Sequence, residues 1–180
     1  MVDPRRTPSA ESAELLVQPV PGTDGALALG VARLLVERGR VDQAFVRDHV
    51  HGFDEFRAML GEYPPDRVAA ITGVGAAVVE RLAEAIGTVR PLTICAGFGM
   101  QRYTNSGQAM RAILALLALT GNLGRPGAGW VYANLQTQVF GGPRDPLAFY
   151  PPAQDEGPLR VSVSTTRLGA AIREERDPPI

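Results

Sequence analysis

The stretch Leu92 to Gly129, LTICAGFGMQRYTNSGQAMRAILALLALTGNLGRPGAG, limits what this chain can fold into more than any other part of it. It opens with a short apolar run, Leu92 to Ala96, bounded by Pro91 and Gly97. That run is too brief for a helix and reads as a buried strand. Gly97-Phe98-Gly99 then turns the backbone at a point where side chains would collide with anything approaching it. Ile113, Leu114, Leu116, Leu117 and Leu119 predict a helix over about Asn105 to Thr120. Gly121-Asn122 ends it, and Gly124, Pro126, Gly127 and Gly129 forbid its continuation. A strand, a glycine turn and a helix together place backbone amides at the mouth of a sheet, where anionic ligands commonly bind.

The remaining sequence is consistent with one domain built around that mouth. A chain of 180 residues is long enough for a real core, and 45% hydrophobic with 21% charged is ordinary for a globular protein. The net charge of -1 implies no nucleic acid or other polyanion as partner. All eighteen basic residues are arginine, which excludes a lysine Schiff base or a lysine phosphate clamp. The single cysteine, Cys95, excludes an intrachain disulfide and cannot alone hold an iron–sulfur cluster. Inside an apolar strand it is expected to behave as a small buried hydrophobe. His49 and His51 are two residues apart, do not share a helical face and lack a third ligand nearby, so no metal site is expected there. The longest apolar run, Ala112 to Leu119, falls well short of the ~20 residues of a membrane span. Met1 leads directly into VDPRRT with no secretory signal, and a cytoplasmic location is expected unless an export signal lies upstream.

Taken in order, the chain alternates helices and turns. Val2 before Asp3-Pro4 can end a strand, which would put Asp3 and Arg5 at its carboxyl end; on the segment alone a disordered tail is the simpler reading. Glu11 to Val17 is a short amphipathic element. Thr23 or Asp24 can cap a helix over about Gly25 to Arg38, with Leu27, Val31, Leu34 and Leu35 inward. Asp24 can be a cap and nothing more, or its carboxylate can take two donors from a purine edge. Val41 to Tyr63 gives two short helices split at Gly52, the first capped by Asp42. A further turn of helix runs from Pro65 to Ile71, and a longer one from Gly75 to Thr88. Trp130 to Leu135 reads as extended, and Gly141 to Pro152 as a Gly/Pro-rich linker or loop. The fold class that follows is α/β, helix-rich, with a few parallel-type strands.

Several segments, in order, resemble the molybdopterin oxidoreductases of the dimethyl-sulfoxide-reductase type. They are VDPRRT at 2–7, PGTDGALALG at 21–30, FVRDHVHGFDEF at 45–56, ITGV at 71–74, GFGMQRYTNSGQAMRA at 97–112 and LTGNLGRPGAG at 119–129. The likeness fades after Gln136. Catalytic subunits of that family are several times longer, so the resemblance implies a central slice. That slice is a partial Rossmann-like dinucleotide domain over residues 1–136, with a crossing segment and the start of a neighbouring domain over residues 137–180.

The resemblance also implies a cofactor, molybdenum held by two molybdopterin guanine dinucleotides, one arm of which lies on this domain. Asp3 and Arg5 match strand-end residues at the nucleotide. Gly22 and Asp24 match the turn at its guanine, and Gly97, Phe98 and Gly99 the backbone turn beside the pterin and pyrophosphate. Gln101 and Arg102 match side chains reaching the pterin near the metal, and Gln136 a polar residue on its far side. The iron–sulfur cysteines of a [4Fe-4S] cluster and the protein ligand of molybdenum lie upstream in that family. Cys95 is therefore not expected to be that ligand, and no catalytic or metal-ligating residue is expected in this chain. Asn134 falls roughly where formate-oxidising members carry an arginine, which argues weakly against formate as substrate.

Two function classes follow. In the first, the chain is part of a molybdenum oxidoreductase, partnered by the remaining segments of the catalytic subunit and by an electron-transfer subunit. In the second it is a non-catalytic nucleotide-binding or assembly module. A nicotinamide-binding fold fits less well, because the third glycine of a G-x-G-x-x-G pattern is replaced by Arg102 and no strand-end acid follows at the expected distance.

Overall fold

A computed structural model describes residues 1–132, and Asn134 and Gln136 lie outside them. Six α-helices are described: α1 (Asp24–Glu37), α2 (Gln43–His49), α3 (Phe53–Met59), α4 (Pro65–Thr72), α5 (Ala76–Thr88) and α6 (Ser106–Leu119). The strands are β1 (Thr93–Ala96) and β2 (Gly129–Tyr132), which pair in parallel with Thr93 opposite Gly129 and Ala96 opposite Tyr132. Val2 and Val17 form a separate parallel bridge. Short 3-10 turns occupy Pro8–Ser12, Leu60–Glu62 and Phe98–Arg102. The result is helix-rich with a short parallel sheet. Among the described residues no helix is long and apolar enough to cross a membrane.

The core forms around α1. Leu27, Val31, Leu34 and Leu35 recur at helical spacing and are all buried, with Val31 fully so. The helix packs most extensively against α6, then against α5 and α4. Two glycines in α1 permit the close approaches. At Gly25 a Cβ would lie 3.1 Å from the Ala109 Cα in α6. At Gly30 a Cβ would lie 2.7 and 2.9 Å from the two methyls of Val68 in α4.

The helix boundaries follow local chemistry. α1 stops where Gly39 takes φ 63°, and α4 stops at Gly73 with φ 69°, conformations open to glycine. Asp42 caps α2 by accepting the Phe45 amide at 2.9 Å, and the same carboxylate accepts from the Arg125 guanidinium at 3.0 Å. Asn122, buried beyond the end of α6, ties that helix to the sheet. Its Oδ1 accepts the Leu92 amide at 3.1 Å, and its Nδ2 donates to the Thr120 hydroxyl at 2.9 Å.

Three expectations need correction. The N-terminal residues are not a free tail: the Val17 amide donates to the Met1 carbonyl at 2.9 Å and the Asp3 amide to the Val17 carbonyl at 3.0 Å. The short element expected over Glu11 to Val17 begins in the 3-10 turn Pro8–Ser12 and ends with buried Val17 in the bridge to Val2. β1 is not buried, since Thr93 and Cys95 are exposed and only Leu92 and Ile94 pack on the core. Parallel strands are apolar throughout when helices cover both faces; among the described residues only Leu92 and Ile94 of this run pack on helices of the core. Cys95 is accordingly an exposed thiol, not a buried hydrophobe.

Gly30→Ala is expected to lower stability by roughly 1–3 kcal/mol in urea unfolding, because the new methyl has only fully buried Val68 to displace. A neutral result would show that α1 and α4 are looser than described. Asp42 carries a second expectation. The Phe45 amide, and after it Arg125, hold its carboxyl below the ordinary range. Its contribution is present above the unfolded value of about 3.9 and lost as pH falls through the folded value. Asp42→Ala is therefore expected to cost about 1 kcal/mol at neutral pH, with the gap from wild type closing below about pH 4.

Candidate functional site

Three sequence-distant segments meet at one end of α1. The turn before it, Pro21 to Thr23, carries Gly22 at φ 84°. The Tyr103 ring stands directly over this glycine, so that a Cβ there would lie 3.0 Å from the Tyr103 Cδ1. The Asn105 side-chain amide donates to the Gly22 carbonyl at 3.0 Å across 83 residues of sequence. The Thr23 hydroxyl turns back to the Val20 carbonyl at 2.6 Å and does not cap the helix. That leaves Asp24 at the head of α1.

Asp24 is half-buried, and among the described residues its carboxylate takes no hydrogen bond from another residue's side chain. Burial pushes its carboxyl above the ordinary value, its own amide partly offsets this, and the Asp3 charge adds to the rise. Asp3 is thus close enough to be felt electrically. Its Oδ1 accepts the Arg5 amide at 2.7 Å, which folds the turn after Val2, and the Gln18 side chain donates to the Pro4 carbonyl at 3.1 Å. Arg5 itself is exposed.

Gly97, Phe98 and Gly99 stand at the end of β1. Nothing lies within 4 Å of a Cβ built on Gly97 or Gly99, and neither takes a positive φ. The glycines are therefore not demanded by the turn itself. What they provide is open space over the backbone. Phe98, Gln101 and Arg102 are all exposed. The expected direct step from glycine turn to helix is interrupted, since Phe98–Arg102 is a 3-10 turn and α6 begins only at Ser106.

Asp24 and Gly97 line the same trough, about 360 Å³ in volume. Its floor is apolar, built from Leu27 and Val31 of α1, Ile86 of α5 and Leu116 of α6. Met1, Val2 and the segment Leu92–Gly97 also line it. Among the described residues Asp24 is the one charged side chain in the lining. The site therefore has two parts: an apolar interior, and a polar rim formed by the Gly22–Asp24 turn with neighbouring Asp3, the Tyr103 and Asn105 contacts and the end of β1 at Gly97, with Arg5 exposed after Asp3 and Phe98–Arg102 exposed in the turn after Gly97. Of the sequence candidates, only Gln136 lies outside the described residues. Tyr103 and Asn105, which join the two halves of the rim, were missed. Asn105 was visible only as the start of a helix, and nothing local says that its amide reaches Gly22. Among the described residues no three His, Cys, Asp or Glu side chains are grouped to hold a metal.

No family model matches the chain. Over all 180 residues it is 31% identical to the Probable oxidoreductase YoaE of Bacillus subtilis, spanning 26% of that protein. It is 38% identical over 144 residues to the Probable dimethyl sulfoxide reductase chain YnfF of Escherichia coli, 69% of this chain and 18% of that one. The solved structure of acetylene hydratase from Pelobacter acetylenicus matches 71% of this chain and 17% of its own, with 35% identity and a TM-score of 0.67. The chain is a homologue of the molybdopterin oxidoreductases of the dimethyl-sulfoxide-reductase type. It spans about a quarter or less of the length of these relatives.

The raised Asp24 carboxyl makes a signed expectation. A group raised on folding favours the fold below its unfolded value, and that advantage disappears as pH rises through the folded value. Relative to wild type, Asp24→Asn is thus expected to gain stability as pH goes from about 4 to 7. A flat difference across that range in denaturant titrations would show that Asp24 is as solvated as a surface carboxylate.

Proposed function

We propose that this chain is part of a Rossmann-like α/β domain in the catalytic subunit of a molybdenum-dependent oxidoreductase, and that its rim binds one molybdopterin guanine dinucleotide arm of the cofactor. The observation that carries the reading is the convergence of the Gly22–Asp24 turn and the Gly97–Tyr103 segment on one rim, joined by Asn105 and Tyr103.

The residues present fit the group. A carboxylate held half out of water without a partner is costly, and guanine offers it two adjacent N–H donors. The open backbone at Gly97 and Gly99 accepts a flat ring or a phosphate that any side chain would obstruct. The anionic part suits the exposed guanidinium groups of Arg5 and Arg102 and not the apolar floor. Asp3 and Arg5 would serve the nucleotide end, and Gln101 and Arg102 the pterin end. Gln136 is assigned to the pterin by family resemblance alone.

When bound, the molybdenum centre supplies the electron transfer, and the protein supplies binding, orientation and electrostatics. Within this chain, Asp24 would fix the guanine by a charge-assisted pair, and the glycine turn would hold the neighbouring backbone clear. The metal's protein ligand, the [4Fe-4S] cluster and the second cofactor arm would come from parts of the catalytic subunit that this chain does not match. An electron-transfer subunit is a further expected partner. The chain alone is accordingly expected to show no oxidoreductase turnover when purified from a molybdenum-replete host. The relatives above are named as oxidoreductases or, in one case, a hydratase, which favours this reading over a free-standing assembly module.

Guanosine diphosphate carries the guanine and a pyrophosphate in one soluble probe. Calorimetry is expected to show it binding in preference to adenosine diphosphate. Asp24→Asn should weaken it about ten- to a hundredfold, as hydrogen bonds to a charged group contribute about 1.5–3 kcal/mol. Equal binding of the two nucleotides, or an unaffected variant, would contradict the assignment of Asp24 to guanine.

A further inference from the structure

Helix α6 joins the rim at its first turn, where Asn105 reaches Gly22, and ends at Leu119. At 14 residues it is about 21 Å long. β1 runs back along it. The strand begins beside the far end of α6, where the Leu92 amide meets Asn122, and its last residue leads into Gly97 and the segment that re-enters the helix at Ser106. Where the bare Gly97 backbone stands relative to the Gly22–Asp24 turn therefore depends on where β1 stands along α6.

Burial of side chains leaves that position open. Leu92, Ile94 and Ala96 share one face of the strand, and Thr93 and Cys95 are exposed on the other. A slip of one residue would turn the apolar face outward and is excluded. A slip of two residues keeps apolar residues inward and moves Gly97 by about 6–7 Å. A polar, directional contact has to choose between those registers.

Asn122 is that contact. Gly121, at φ 63°, turns the chain at the end of α6, and the Asn122 amide donates to the Leu117 carbonyl at 2.8 Å. The Asn122 side chain is 1% exposed. Its Oδ1 accepts the Leu92 amide at 3.1 Å, and its Nδ2 donates to the Thr120 carbonyl at 3.2 Å and the Thr120 hydroxyl at 2.9 Å. The Thr120 hydroxyl in turn donates to the Leu116 carbonyl at 2.7 Å. One end of the amide is thus fixed on α6 and the other on β1. The Thr93 hydroxyl also crosses, to the Gly127 carbonyl at 2.9 Å, but that bond is exposed. The Leu92 carbonyl takes the Gly129 amide at 3.1 Å, but Gly129 closes the loop that Asn122 itself begins. A buried bond is the more selective of these, because losing it strands a polar group away from water.

We infer that Asn122 is a positioning residue of the ligand rim. It touches no ligand. It sets the register of β1 from the end of α6 opposite the rim, and so fixes how the Gly97 backbone is presented to a bound dinucleotide. Sites of this kind lose affinity when the supporting shell lets them drift by an ångström or so. The inference rests on the guanine dinucleotide reading for the ligand, but not for the position of β1.

The test compares the full 180-residue chain with Asn122→Ser, Asn122→Asp and Thr120→Val. Serine is too short to reach Leu92. Aspartate keeps the acceptor, and Thr120→Val removes the hydroxyl on the α6 side while leaving Oδ1 in place. A nitroxide on Cys95, the sole cysteine and exposed, reports the position of β1 through paramagnetic broadening of the Asp24 and Asn105 amides. Hydrogen exchange in α1 and α6 reports the core, and calorimetry reports guanosine diphosphate binding. Asn122→Ser is expected to shift the broadening away from wild type while the two helices stay protected, and to weaken guanosine diphosphate about tenfold. Asn122→Asp and Thr120→Val should keep the wild-type broadening even where they lower stability. The inference is overturned if Asn122→Ser leaves the broadening unchanged, or if Thr120→Val shifts it equally. Should Asn122→Ser lose helix protection altogether, Asn122→Asp decides: wild-type broadening sustains the inference and a shifted pattern overturns it. Wild-type chain that fails to prefer guanosine over adenosine diphosphate would contradict the guanine reading alone, since the broadening is measured without nucleotide.

Discussion

The close approach of α1 to α6 is the contact on which the site depends. Gly25 lets the Ala109 backbone come near enough that a methyl on the glycine would crowd it. One step earlier in sequence terms, Gly22 takes a left-handed turn and carries the Tyr103 ring on its face. Asn105 then fastens to the Gly22 carbonyl. Without these contacts the turn at 22–24 and the segment at 97–105 would be two unrelated loops. With them, an acidic side chain and a stretch of bare backbone share one rim.

That rim and the trough beneath it call for different chemistry. The rim is polar and partly exposed, with Asp3 near Asp24 and with exposed Arg5 and Arg102 in the segments that flank it. The trough is lined mainly by hydrocarbon. An anionic ligand is matched by the first and rejected by the second. The half-buried Asp24 lines the trough, and burial, with the Asp3 charge added to it, raises its carboxyl.

Much of this was legible in sequence. The stripe of Leu27, Val31, Leu34 and Leu35 gave α1 to within a residue at either end, and Gly52 and Gly73 marked helix boundaries because their backbone lies in the left-handed region. Asp42 was recognisable as a cap from its place before an apolar run. What failed were inferences from local composition to burial. β1 looked buried because it is short and largely apolar, but burial depends on what covers each face, and Thr93 and Cys95 face outward. The N-terminal residues looked like a tail because one valine cannot announce a partner fifteen residues on. The candidate residues of the rim were legible mainly through the ordered family segments. Asn105 and Tyr103 were not, because a contact across some 80 residues leaves no local mark.

The central claim is that the Asn105 and Tyr103 contacts hold Asp24 against the apolar floor, creating the unpartnered carboxylate that a ligand can use. The direct measurement is an NMR titration of the Asp24 carboxyl in wild type and in Asn105→Ala. The account predicts a wild-type value above that of an ordinary aspartate, and a fall toward the ordinary value once the turn is released and water reaches the carboxylate. An ordinary value in wild type, or a raised one that Asn105→Ala leaves unchanged, would contradict it.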